Sequence, residues 1–119
     1  MARLTVESSP VDPGLHLETV ELAAMRDMFA AAPESAAEAL GIAARDVGGA
    51  LCAAVAALPG ARTFNRVAGL GVASEAGDAD LDLVAAFYAD LGLPFVISVA
   101  PGAQPPDLGE RLAARGYEA

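Results

Sequence analysis

A chain of 119 residues with 55% hydrophobic and 19% charged content is long enough to bury one core, which argues against global disorder. With only 7 Lys or Arg and a formal net charge of −9, it has no basic face for nucleic acid or an anionic membrane. The single cysteine, Cys52, excludes an internal disulfide and any multi-cysteine metal site.

The longest uncharged runs, 47–61 and 92–106, are interrupted by Gly and Pro and fall short of the roughly 18–20 residues a membrane span needs. Glu7 follows Arg3 too closely for a secretion signal, so the expectation is a soluble cytoplasmic protein. Much of the apolar content is Ala, and there is no Trp, which favours close helix-to-sheet packing over a large aromatic pocket.

In chain order, Arg3 to Val6 reads as a short strand, and residues 1–16 as an N-terminal lead whose Ser8, Ser9, Pro10, Pro13 and Gly14 form a loop. Leu17 to Ala31 reads as a helix with Leu17, Val20, Ala24 and Met28 on one face and glutamates in its first turn, where they suit the helix dipole. Pro33 breaks it. Ser35-x-x-Glu38 has the form of a capping box that opens a second helix, with a stripe of Ala36, Ala39, Leu40 and Ala43, ended by Gly48-Gly49.

Ala50 to Leu58 is apolar throughout, as a strand covered on both faces is. Pro59-Gly60 turns the chain, so the next strand, within Thr63 to Val72, is expected to pair antiparallel with it. Glu75 to Asp82 reads as an acidic loop with Asp78 as N-cap. A helix follows, with Leu81, Val84, Tyr88 and Leu91 on one face and Gly92 as its stop. Phe95 to Ala100 is then a strand joined by a parallel crossover, and Asp107 to Arg115 a last helix with Leu108 and Leu112 facing in. The expected fold is α/β (α+β), a mixed sheet flanked by helices in the order (β)ααββαβα, with residues 17–119 as one module.

Arg66-Val67-Ala68-Gly69-Leu70-Gly71 satisfies Arg-x-x-Gly-x-Gly, a pattern whose backbone N–H groups cradle a pyrophosphate when they open a helix. Here the helix starts several residues later, and Glu75, Asp78, Asp80 and Asp82 surround its N-terminus. At a Debye length of roughly 8 Å those carboxylates oppose a phosphate. Packing glycines are therefore the favoured reading of Gly69 and Gly71. Asn65 and Arg66 read as polar anchors in a buried element, with Asp46 or a helix C-terminal carbonyl as partner for Arg66. His16 reads as a surface or capping residue before the first helix, Cys52 as a small hydrophobe, and Tyr88 and Tyr117 as packing residues, Tyr117 with a possible second role as proton donor. No catalytic residue is assigned. The acidic cluster lacks the spacing of a calcium loop, so no metal is expected.

Asn65-Arg66-Val67-x-Gly69-Leu70-Gly71, then Tyr88-x-x-x-Gly92, Val96-x-x-Val99-x-Pro101-Gly102-Ala103 and Leu108-x-x-x-Leu112-x-x-x-Gly116-Tyr117, together resemble the GNAT (Gcn5-related N-acetyltransferase) superfamily. More narrowly they resemble the amino-terminal half of bacterial proteins that carry two such modules in tandem. The resemblance implies transfer of an acetyl group from acetyl-CoA to a small-molecule amine, with Arg66, Gly69 and Gly71 as the matching cofactor positions. In tandem members the second module keeps the working acetyl-CoA loop and the first helps shape the acceptor cleft. Here no Glu or Asp lies within the central strand, and the sheet's closing strands are missing from the order. The expected partner is a second GNAT module. Two alternatives stand beside this: a free-standing acetyl-CoA-dependent acyltransferase, and an association domain that completes an open sheet edge after Phe95 to Ala100 with another copy of itself.

Overall fold

The computed structural model describes residues 3–6 and 14–118, and the loop expected across 7–13 lies outside the described residues. Nine elements follow in chain order: β1 (Arg3–Val6), α1 (Gly14–Ala30), α2 (Glu34–Leu40), β2 (Ile42–Val47), β3 (Ala50–Val55), β4 (Arg66–Ala68), α3 (Asp78–Leu91), β5 (Val96–Val99) and α4 (Leu108–Ala114). The strands form one mixed sheet in the order β1-β5-β4-β3-β2. β2, β3 and β4 pair antiparallel, whereas β4, β5 and β1 run parallel. The α+β class, the antiparallel β3–β4 pair and the parallel step through α3 thus agree with the sequence reading.

The element order contains one strand more than expected, because 42–47 is β2 rather than the end of a helix. Gly41 closes α2 in the left-handed region at φ 65°. Gly48 and Gly49, at φ 55° and 84°, form the two-residue turn of a β-hairpin that sets Val47 opposite Ala50. The capping box does not form: α2 starts at Glu34, its N-cap is Pro33 without a side-chain hydrogen bond, and none of its residues is buried.

Alternation along the strands sorts side chains onto two faces. Cys52, Ala54, Val67, Ile97 and Val99 point to α3 and α4 and meet Leu81, Val84, Tyr88, Leu108 and Leu112 in the main core. Leu51, Ala53 and Ala68 point the other way and meet Leu22 and Met25 of α1 in a smaller cluster. α1 therefore buries a different stripe from the one expected. Val20 and Met28 are exposed, because Leu22 seats over Gly69 and Met25 beside Arg66. Helix α1 also begins early enough that no acidic residue falls in its first turn, and His16 lies inside the helix.

All six residues of β3 are buried, as its unbroken apolar run requires. The strand expected across 63–72 shrinks to Arg66–Ala68, since turns occupy 62–64 and Gly69 bends away at φ 79°. β5 is no edge: β1 pairs with it from Arg3 to Val6, so residues 3–6 of the expected lead belong to the sheet. The route to a second copy through an open edge at Phe95 to Ala100 is therefore closed.

Candidate functional site

Asn65, the residue before β4, is 1% exposed and fully engaged. Its Oδ1 accepts the Val55 N–H at 2.8 Å, and its Nδ2 donates to the carbonyls of Leu58 at 2.7 Å and Ala61 at 3.2 Å. Its own carbonyl accepts the Val96 N–H at 3.1 Å. One residue thus ties the end of β3, the 56–64 loop and the start of β5 together, the first two through its side-chain amide and the last through its main-chain carbonyl. That satisfies backbone groups which would be costly to leave unpaired in the interior.

Arg66 projects from the α1 face of β4. Its Nε and Nη2 lie 3.4 and 3.3 Å from the Met25 sulfur, and its Nη1 donates to Ser98 Oγ at 3.2 Å. Asp46 is not its partner. That carboxylate pairs with Arg26, whose Nη2 also donates to the Gly49 carbonyl at 3.0 Å. Because α3 packs on the opposite face of the sheet, the Arg66 side chain and the α3 N-terminus are separated by the sheet itself.

Gly69 and Gly71 both have positive φ, 79° and 76°. A Cβ on Gly69 would come within 2.7 Å of Leu22 Cδ2, and one on Gly71 would run into the backbone of Gln104. The Gly71 carbonyl accepts the Gln104 N–H at 2.8 Å, and the Gln104 carbonyl accepts the Ala76 N–H at 2.9 Å. The glycine exit is stitched to the 101–106 turn on one side and packed under α1 on the other. Gly71 allows two backbones to approach closely and Gly69 leaves room for the Leu22 side chain, needs that a residue without a Cβ meets at positive φ.

The N-terminus of α3 carries its own carboxylates. Gly77 is the N-cap, one residue ahead of the Asp78 expected, and the Asp80 carboxylate accepts its N–H at 3.1 Å. Arg115, the C-cap of α4, donates to Asp82 Oδ1 at 2.7 Å and to the Asp78 carbonyl at 3.3 Å. The hydrogen bond to Asp82 is the main cause holding the Arg115 guanidinium above its ordinary value. The carboxylates thus cap the helix and pin α4. No group of three or more His, Cys, Asp or Glu among the described residues is placed to hold a metal.

Cys52 is buried, and burial pushes its thiol from 9.0 up to about 12, so it is not a nucleophile near neutral pH. The Tyr88 hydroxyl donates to the Ala53 carbonyl at 2.8 Å, and burial raises its ionisation well above the ordinary tyrosine value. Phe95 stacks on the Tyr88 ring at 4.0 Å and meets Tyr117 edge-on at 5.8 Å. Tyr117 is half-buried and likewise raised by burial.

A cleft of about 260 Å³ lies elsewhere, lined by Pro59, Gly60, Arg62, Asn65, Pro94 and Phe95. It opens at the beginnings of β4 and β5, away from the glycine exit at the end of β4. Open α/β sheets bind ligands at the carboxyl ends of their strands, so this cleft is on the less usual side. In the sequence Pro94 reads only as the start of a strand, and Arg62 carries no signal. Comparison with family models, curated proteins and solved structures gave no match.

Proposed function

We propose that this chain is the amino-terminal, GNAT-like module of an N-acetyltransferase, acting as a substrate-side or structural half without its own catalysis. The observation that carries the reading is the state of its cofactor positions. Gly69 and Gly71 are used for packing, Arg66 points to the face of the sheet away from α3, and Asp80 places a carboxylate on the Gly77 N–H at the α3 N-terminus. The sheet that steps from antiparallel to parallel at β4 supports the same reading, since the family resemblance implies a mixed sheet flanked by helices. Acetyl-CoA would then be held by a second module, with this one helping to shape the cleft for the amine acceptor. Among the described residues no helix is long and apolar enough to cross a membrane.

Isothermal titration of the 119-residue chain with acetyl-CoA tests this. The expected result is no saturable heat for a dissociation constant tighter than about 100 μM. Micromolar binding that is lost on Arg66→Lys, in a variant with unchanged circular dichroism, would instead support a free-standing acyltransferase with Arg66, Gly69 and Gly71 on the cofactor.

A further inference from the structure

Among the described residues the sheet has two edges, β1 and β2. On β2 the hairpin fixes which backbone groups face outward. A two-residue loop makes Val47 and Ala50 a hydrogen-bonded pair, and the Ala56 N–H bound to the Gly41 carbonyl at 3.0 Å keeps the same parity at the far end. The N–H and C=O groups of Ile42, Ala44 and Asp46 therefore point away from β3, and no backbone group among the described residues meets them.

Helix α3 lies over β2 and β3. On one flank Asp78 and Asp82 reach Arg115 at the C-cap of α4, and on the other Asp80 lies against Gly48 of the hairpin turn. At about 100° per residue, Leu83, Phe87 and Leu91 continue the Asp80 flank and so face the open edge. Leu83 and Leu91 are 40% and 39% exposed, and Phe87 is half-buried. An open ladder and an apolar i, i+4, i+8 stripe thus sit side by side on one margin of the molecule.

We propose that the chain forms a two-fold dimer in which β2 pairs antiparallel with β2 of a second copy and the Leu83–Phe87–Leu91 stripes of the two α3 helices pack across the axis. Two copies suit this margin because the strand can pair with itself without conflict. Outward groups must meet outward groups, so the axis falls on a residue. With the axis at Ala44, Arg45 sits opposite Ala43 of the second copy and Asp46 opposite Ile42. Shifting it to Arg45 or Asp46 would set like charges face to face. The charge of −9 on each copy opposes association, so the dimer strengthens as salt screens it. Nothing here depends on the acyltransferase reading.

Sedimentation equilibrium of the 119-residue chain at about 100 μM, in low salt and in about 0.5 M salt, provides the test. The expected mass is twice 11.9 kDa, with tighter association at the higher salt. Ala44→Pro removes an N–H that faces outward, so the monomer keeps its hydrogen bonds while its dissociation constant rises about tenfold or more. Leu83→Glu reaches the same end from the helix side if the proline variant misfolds. A wild-type monomer at both salts overturns the proposal. So does a dimer that survives either substitution in a variant with native circular dichroism.

Discussion

The two faces of the sheet are built from the same alternating strands but carry different loads. Toward α3 and α4, β3, β4 and β5 contribute only apolar side chains, and two helices close over them with Tyr88 donating its one polar hydrogen to Ala53. Toward α1, the cluster is smaller, and Arg66 and Ser98 lie within it, with Met25 as a soft partner for the guanidinium. Stability is thus concentrated on one face, and the strand residues that resemble a cofactor motif are divided between the other face and the bend at its rim. A pattern contiguous in sequence need not be contiguous in space, because neighbouring strand residues point to opposite sides.

The sharpest way to break the comparison is to truncate one core residue from each face. Leu112→Ala, at a site with no exposed surface, should cost about 3 kcal/mol in urea unfolding. Leu22→Ala, on the α1 side and 9% exposed, should cost less, about 2 kcal/mol. Equal losses would show the faces to be equally supporting. Asn65→Ala lies at the hinge between the faces. By leaving the Val55 N–H unpaired in the interior, it should cost about 2 kcal/mol, and Asn65→Asp should not restore the loss because it cannot donate to Leu58.

Cys52 adds a pH signature to the main core. Its folded value of about 12 lies above the ordinary 9.0, so the unfolded chain loses this proton first. The contribution is therefore intact below pH 9 and falls as pH rises toward 12, reaching a loss of about 1 kcal/mol near pH 10. The urea midpoint of Cys52→Ala should fall less steeply over that window than that of the wild type. Parallel curves would contradict the burial argument. The smallest effect is expected at the exposed Asp82–Arg115 pair, where Asp82→Asn should change stability by less than about 0.5 kcal/mol.

Much of this architecture was legible in the residues. The unbroken run in β3, the Leu81, Val84 and Tyr88 spacing, the Gly92 stop and the Leu108–Leu112 pair all signal their elements through burial and caps that are local. β2 was hidden because Ala43 and Ala44 suit a helix as well as a strand, so propensity did not separate them. The Gly48-Gly49 pair between apolar residues was the available hairpin signal. Spacing alone does not choose the buried face of α1, because Val20 and Met28 keep helical spacing with each other, as Leu22 and Met25 also do. Only the position of Gly69 under Leu22 decides between the stripes. The division of the Arg66 to Gly71 segment between the α1 face and the bend at its rim could not be read at all without knowing that the strand is three residues long.

The central claim is that the glycine exit is a joint between backbones and not a phosphate cradle. Titrating acetyl-CoA to about 1 mM while following the backbone amides of Gly69, Gly71, Ala76 and Gly77 by two-dimensional NMR tests it directly. The account predicts no saturable shift at these four amides. Saturable, coincident shifts at Gly69, Gly71 and Gly77 would place the phosphates on the exit and contradict it.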